Sequence, residues 1–482
     1  MDSYDYVIVG AGVNGTSIAT SLASHGFRVA VLDRSSDGFV APDGASHDLN
    51  KIVRADYTDA NFCTLAKEAI ARWRSSPVLS RFYHEVGVLF RSSATGDVWG
   101  KEGSAEEYVH NGIKHAALES DMHLEVFPAE EKVRAFKLNN DAQVEEILGK
   151  AEGLKGDGLK GMGRVQTGYF NPRAGWAEAN NATRALLAHA VKLGVTVYPD
   201  SSVASFLYEA GEVVGVKTAD GRVVRGDNVV LAAGAWTQKL LTTLLPGVGE
   251  AWMTRPSAQC VAVVRLTRAE ALQLKATPVV INFATGFYQF EPTPTADDDE
   301  WHLKIAIHSN GFLHPSPPST FTGTFPAFSC TDSTEQDAFG MAACSMPENQ
   351  LEIMLEELRQ TWPHLAQRER VVCTRVCWYS DTLDENWIID SLANHPAKPK
   401  GTDKVWVVSG DSGHAFKFLP IIGDVFLAAK RLVPNTRQLD LSRFTFNHHA
   451  RTHADKNAGR AVQSADSNRA HSTPLANARA RL

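Results

Sequence analysis

Tyr6-Val7-Ile8-Val9-Gly10-Ala11-Gly12-Val13-Asn14-Gly15-Thr16-Ser17-Ile18-Ala19 decides how the rest of this chain is read. The first four residues predict a short strand, the glycines a tight turn, and Thr16 to Ala23 has helical spacing. A second strand, Arg28-Val29-Ala30-Val31-Leu32, then ends on Asp33, 18 residues past Gly15. In that order each glycine has a mechanical task. Gly10 makes the turn, Gly12 lets backbone N–H groups approach a pyrophosphate at a helix N-terminus, and Gly15 lets helix and strand pack closely. Asp33 is placed to accept from ribose hydroxyls, and a carboxylate there disfavours a 2′-phosphate, leaving FAD or NAD.

Working outward, Asn228-Val229-Val230-Leu231-Ala232-Ala233-Gly234 reads as a buried strand that rejoins the same sheet and brings backbone close to the cofactor at Gly234. Ala182 to Val191 reads as a helix and Val195-Thr196-Val197-Tyr198 as the strand after it. Between about 255 and 310 the pattern changes to runs such as Cys260-Val261-Ala262-Val263-Val264-Arg265 and His302-Leu303-Lys304-Ile305-Ala306-Ile307-His308, an antiparallel sheet inserted into the nucleotide domain. Pro292 to Glu300, with its acids, reads as a solvated hairpin tip.

Composition narrows the function. The 482 residues carry 48 Lys and Arg against 55 Asp and Glu, and a net charge of −7 gives nucleic acid no electrostatic hold. At 44% apolar and 21% charged residues the chain is globular. Cysteines at 63, 260, 330, 344, 373 and 377 lack C-x-x-C spacing, which argues against a disulfide framework or a zinc ribbon and for a reducing compartment. No run of eighteen apolar residues predicts a membrane span. The N-terminus has acids where a secretion signal needs basic residues. From Arg451 the chain turns rich in Ala, Arg, Ser and Asn and reads as a flexible tail. It ends Ala480-Arg481-Leu482, close to the Ser-Lys-Leu peroxisomal address, which predicts recognition by an import receptor.

Near the C-terminus, Gly410-Asp411-Ser412-Gly413-His414-Ala415-Phe416-Lys417 runs towards an apolar helix whose free N–H groups favour negative charge, as a reduced isoalloxazine carries at N1 and C2=O. With Lys51-Ile52-Val53-Arg54 and Cys377-Trp378-Tyr379, this pattern resembles the monomeric sarcosine oxidase family, which includes pipecolate, saccharopine and fructosyl amino acid oxidases within the D-amino acid oxidase-like superfamily. The resemblance covers nearly the whole chain except the tail. It implies an α/β fold: a Rossmann-like FAD-binding domain (1–85, 160–250 and 380–448) with an inserted antiparallel-sheet α+β substrate domain (86–159 and 251–379), then a tail at 449–482. It implies cofactor contacts at Gly10, Gly12, Val13, Asn14, Gly15, Asp33, Arg34, Lys51, Gly234, Gly413, His414, Phe416 and Lys417.

The resemblance also distributes the chemistry. Arg54 and Lys417 would share a substrate carboxylate, for which an arginine supplies bidentate geometry. Cys377 would hold FAD through an 8α-S-cysteinyl bond, with Arg375 nearby to assist its ionisation. Lys304 would act on dioxygen electrostatically, and strand periodicity puts it on one side with His308, while 303, 305 and 307 face the other core. Phe287-Tyr288-Gln289-Phe290 would be the paired strand, with Tyr288 and Tyr379 flanking the amine; Tyr288 as core filling is the competing reading. Lys51 stands where the bacterial sarcosine enzymes have Arg, yet Lys51-x-x-Arg54 with His308 and Tyr379 looks more like the sarcosine, pipecolate and saccharopine branch than the fructosyl one.

The expected function is an FAD-dependent oxidase of a secondary amine bearing a carboxylate, giving an imine and hydrogen peroxide. Its partners would be the small-molecule amine and O2, with no nucleic acid, membrane or metal, in a monomer of the peroxisome or otherwise the cytoplasm. A tailoring oxidase of small-molecule biosynthesis, a fructosyl amino acid oxidase, a dehydrogenase that does not use O2 and a non-catalytic FAD-binding module are the alternatives.

Overall fold

Strand β1 (Ser3–Val9) pairs in parallel with β2 (Val29–Leu32) and with β11 (Val223–Leu231). Its side chains alternate between two apolar layers, Tyr6 and Ile8 into one and Val7 and Val9 into the other. A strand covered on both faces has no polar side, which is why the covered stretches, Val7 to Val9, Val29 to Leu32 and Val229 to Leu231, are apolar throughout. Each aliphatic side chain so enclosed stabilises the fold by about 1.5–3 kcal/mol. The computed structural model describes residues 3–92, 167–246, 248, 254–297, 299–312 and 348–459. Most of the 86–159 segment, Cys330, Cys344 and Ala480-Arg481-Leu482 lie outside the described residues.

The first sheet runs β18 (Ile388–Ser391), β19 (Val405–Ser409), β11, β1, β2, β8 (Thr196–Tyr198), with β10 (Glu212–Thr218) and β9 (Val203–Glu209) added antiparallel beside β11. Helix α1 (Val13–Ser24) lies between the helices Ala179–Lys192 and Ile422–Ala429 on one face. Its small residues permit very close approach: a Cβ on Gly15 would sit 1.9 Å from Gly10 O, and Gly10 itself turns at φ +108°. The glycine turn is thus fixed by the packing of α1 onto β1, as its spacing predicts.

The second sheet runs β17 (Val371–Asp381), β12 (Arg255–Thr267), β16 (Glu300–Phe312), β14 (Phe287–Gln289), β13 (Val279–Asn282), β5 (Val88–Ser92), β6 (Thr167–Asn171), with β15 (Thr293–Pro294) on β16. It is antiparallel except for the β5–β13 pair. A small sheet, β3 (Asn50–Val53), β7 (Gly175–Glu178) and β4 (Tyr83–His84), lies apart from both.

Two expectations change. Thr167–Asn171, assigned by sequence to the nucleotide domain that resumes at 160, is an edge strand of the second sheet paired with β5. Its partner lies some 80 residues earlier, so local pattern gave it no home. The tail expected from 449 is helical as far as Gly459: helix Phe446–Gly459 is held by Phe446 N donating to Asp390 Oδ2 (2.9 Å), His448 Nε2 on Asp384 Oδ2 (2.6 Å) and His449 Nε2 on Trp387 O (3.0 Å). Tertiary anchoring, rather than an apolar stripe, makes that helix.

Gly15→Ala should lower the thermal midpoint of the full chain, at a cost of roughly 1–3 kcal/mol or more, because the added methyl meets backbone that cannot yield. An unchanged melting curve would show that α1 can lift from β1 freely.

Candidate functional site

A cavity of about 460 Å³ opens beside the glycine turn. At one end Gly10, Gly12, Val13 and Asn14 form its wall with Asp33 and Arg34. Gly234 lies along its side, where an added Cβ would meet no protein atom within 4 Å, and Lys51, Tyr379, Gly413 and Phe416 close the far end. Ten of the predicted cofactor residues therefore share one wall. Gly15, His414 and Lys417 stand behind it.

The near end suits a dinucleotide. Gly12 caps α1 with no side chain of its own, Val13 N–H donates to Ser46 Oγ (2.9 Å), and no acid sits in the first turn, so the helix start keeps a positive potential for an anion. Asp33 is buried, accepting from Ala11 N at Oδ2 (2.7 Å) and from Ser35 N at Oδ1 (2.9 Å), which fixes the carboxylate and leaves lone pairs for hydroxyl donors. Arg34 lies 4.5 Å over the Trp236 ring and pairs with Asp43. Asp411 is bonded by Asn14 Nδ2 (2.8 Å), and burial pushes its carboxyl up to about 6, with Asp381 adding to the rise. The residues present fit an FAD.

At the far end, β17 alternates: Cys377 and Tyr379 face one apolar layer with Tyr288 and Ala306, while Val376 and Trp378 face another. On β16, Leu303, Ile305 and Ile307 pack into a separate core, leaving Lys304 and Ala306 on the Cys377 side, as strand periodicity predicts. Lys304 is fully buried and donates to Asp48 Oδ2 (2.6 Å) and Asn50 O (2.7 Å), with its ammonium 5.0 Å from the Phe290 ring centre. Lys51 Nζ lies 2.7 Å from the same Asp48 oxygen and donates to Cys377 Sγ at 3.3 Å. Arg375 turns to His47 O and stands 3.9 Å from Asp48, so the cation at the thiol is Lys51 rather than Arg375, which was expected to assist it.

The electrostatics follow from this packing. Burial alone would push the Asp48 carboxyl up, yet Lys304, Lys51 and Arg375 hold it far below its usual range. Burial pushes the Lys304 ammonium down to about 8 despite the pull of Asp48, whereas Asp48, with Cys377 and Tyr288, outweighs burial at Lys51 and raises it. Tyr288 and Tyr379 hydrogen-bond each other; burial pushes Tyr288 up to about 12 and holds Tyr379 well above the usual phenol range, so both stay neutral donors and acceptors. His308 stacks obliquely on Tyr379, ring centres 5.7 Å apart.

Arg54 and Lys417 are both buried, at 9% and 6% exposure, and both approach the Tyr57 ring, at 5.2 and 5.1 Å. Arg54 also donates to Asp56 O. Lys417 Nζ donates to Tyr57 Oη (2.8 Å) and His414 O (2.8 Å). His414 Nε2 meets Glu385 O (2.9 Å), an acceptor only, so in the neutral ring its hydrogen sits there and Nδ1 accepts from Tyr57 (3.1 Å). The chain runs from ammonium to phenol to imidazole to carbonyl. Burial and then repulsion from Arg54 push Lys417 well below the usual lysine range, so an anion beside the pair would be welcome.

One predicted feature moves. The apolar helix begins only at Ile422, after a turn at Phe416–Phe418, and its Gly423 N–H donates to Ser17 Oγ (2.9 Å). That helix start docks on α1 and does not line the cavity. Asp48 and Tyr57 were missed as site residues: what marks them is contact with Lys304 and Lys417, 256 and 360 residues further along the chain. Among the described residues no cluster of His, Cys, Asp and Glu could hold a metal, and no helix is long and apolar enough to cross a membrane.

Comparison with known proteins agrees with this geometry. A family profile described as FAD dependent oxidoreductase matches residues 5–429. L-saccharopine oxidase of Schizosaccharomyces pombe is 28% identical over 428 residues, covering 86% of this chain and 87% of that protein. Amino acid oxidase imqH of Aspergillus flavus is 26% identical over 462 residues, covering 87% and 91%. The crystal structure of the deglycating enzyme fructosamine oxidase (Amadoriase II) of Aspergillus fumigatus, in complex with FSA, superposes with a TM-score of 0.69 at 26% identity, covering 92% of this chain and 90% of that one.

Asp33→Ala leaves two backbone N–H groups without their acceptor, a loss of about 1–3 kcal/mol. Amide hydrogen exchange at Ala11 and Ser35 should accelerate in this variant; unchanged protection at both would show that the carboxylate does not hold the turn.

Proposed function

Because the chain belongs to the FAD-dependent oxidoreductase family, we propose that it oxidises a secondary amine bearing a carboxylate, of the sarcosine, pipecolate or saccharopine type, to an imine, with release of hydrogen peroxide. When bound, FAD supplies the hydride acceptor and passes the electrons on to dioxygen. The observation that carries the reading is the buried pair Arg54 and Lys417, whose mutual repulsion a substrate carboxylate would relieve.

The residues divide the work. Arg54 offers a planar fork and Lys417 a point charge, together fixing the acid so that the C–H beside nitrogen has one orientation. Tyr57, held by Lys417 and His414, keeps that ammonium from swinging away. The neutral Tyr288 and Tyr379, with His308 against Tyr379, form a polar wall towards the amine, which must be unprotonated to lose hydride. Lys304 keeps a fixed positive charge beside the apolar layer, where charge developing on dioxygen is stabilised at no cost in reorganisation.

Cys377 would hold the flavin through a thioether to its 8α carbon in this reading, and Lys51 Nζ donates to that sulfur at 3.3 Å. Peroxide release fits the peroxisomal address read in Ala480-Arg481-Leu482.

Peroxide release should respond to sarcosine, pipecolate or saccharopine, and Arg54→Met or Lys417→Met should raise KM for the responding acid by about 10- to 100-fold, as expected for a lost charged hydrogen bond. A response confined to fructosyl amino acids moves the substrate to that branch, and no response to any acid refutes the carboxylate role. Acid precipitation should give a yellow pellet whose flavin is on the Cys377 peptide, and Cys377→Ser a colourless pellet under a yellow supernatant. A yellow pellet from Cys377→Ser would place the bond elsewhere.

A further inference from the structure

Asp48 is the only carboxylate whose contacts join Lys304 to Lys51 among the described residues, at 2.6 and 2.7 Å through a single oxygen, with Arg375 3.9 Å from the other. It is itself 2% exposed, so nothing from solvent can replace it. Each lysine has a second, different contact. Lys304 reaches Asn50 O and faces the Phe290 ring; Lys51 reaches Cys377 Sγ. An ammonium on a four-carbon stem has rotamers to spare, and a shared carboxylate oxygen removes them from both at once.

We propose that Asp48 is a positioning residue that holds Lys304 at the oxygen-facing layer and Lys51 at the Cys377 sulfur, so that one carboxylate sets both the reoxidation step and the covalent attachment. This rests on the reading that Lys304 acts on dioxygen. The titratable and charged groups facing Lys304 are Asp48 and Lys51 from the 48–53 segment, with Cys377 and Arg375 from β17 beyond them and Tyr288 from β14 against Lys51. Burial and Lys51 disfavour its charge, and Asp48 is the strongest group favouring it. The sign follows: Lys304 is an ammonium below about 8 and loses its proton above, so reoxidation falls as pH rises through that value. Without Asp48 the fall must come at lower pH.

Stopped-flow reoxidation of the substrate-reduced holoenzyme against O2, from pH 6 to 10, tests this in wild type, Asp48→Asn and Lys304→Met. In Asp48→Asn the break should move down by at least about one pH unit, a roughly tenfold lower rate constant above it. The intact mass of acid-denatured Asp48→Asn should show a smaller fraction of polypeptide carrying flavin. If the Asp48→Asn profile and flavin fraction coincide with wild type while Lys304→Met is slow, Asp48 has no positioning role. If Lys304→Met reoxidises at the wild-type rate, the oxygen reading itself fails, a separate result. Should Asp48→Asn not accumulate as folded protein, Asp48→Asn with Arg375→Gln, which removes one charge of each sign, is read by the same two measurements.

Discussion

Burying a cation is costly, and this fold buries several around one acid. Asp48 faces Lys51, Lys304 and Arg375, three cations to one carboxylate, which leaves a surplus of two positive charges in a dry layer at the end of the cavity. Removing one partner from such a group typically costs about 3–5 kcal/mol. A protein tolerates such a surplus where an anion belongs. The second cationic pair, Arg54 and Lys417, follows the same logic, tempered by a phenol and an imidazole.

The two sheets divide the labour accordingly. The first sheet is closed on both faces and brings the glycine turn, Val9, Leu32 and the Ala232–Gly234 backbone to the cavity, which suits a cofactor gripped by N–H groups. The second sheet keeps Leu303, Ile305 and Ile307 in one core and sets Cys377, Tyr379 and Tyr288 on the other face, on rigid strands rather than loops.

Much of this was legible in sequence because it repeats with a period. The glycine turn, the acid closing β2, and the alternation that sets Lys304 apart from Leu303 and Ile305 depend on neighbours along the chain. Cys377 and Tyr379 were legible through family likeness and then fell on one side of β17, as a two-residue spacing requires. What escaped was long-range. Asp48 and Tyr57 have no local pattern, since the partners that define them are Lys304 and Lys417, and the edge strand at 167–171 and the anchored helix at 446–459 exist only through contacts that sequence spacing does not encode.

That long reach governs biogenesis. Asp48 meets Lys304 across 256 residues, Lys51 meets Cys377 across 326, and Tyr57 meets Lys417 across 360. β19 must also enter the sheet beside β11 before the first nucleotide-gripping half is complete. A nascent chain on the ribosome therefore carries the dinucleotide turn early but no chamber to trap a flavin until almost everything has emerged. The cavity is closed only in the finished polypeptide, and a truncated product is left with a nucleotide turn that faces no chamber.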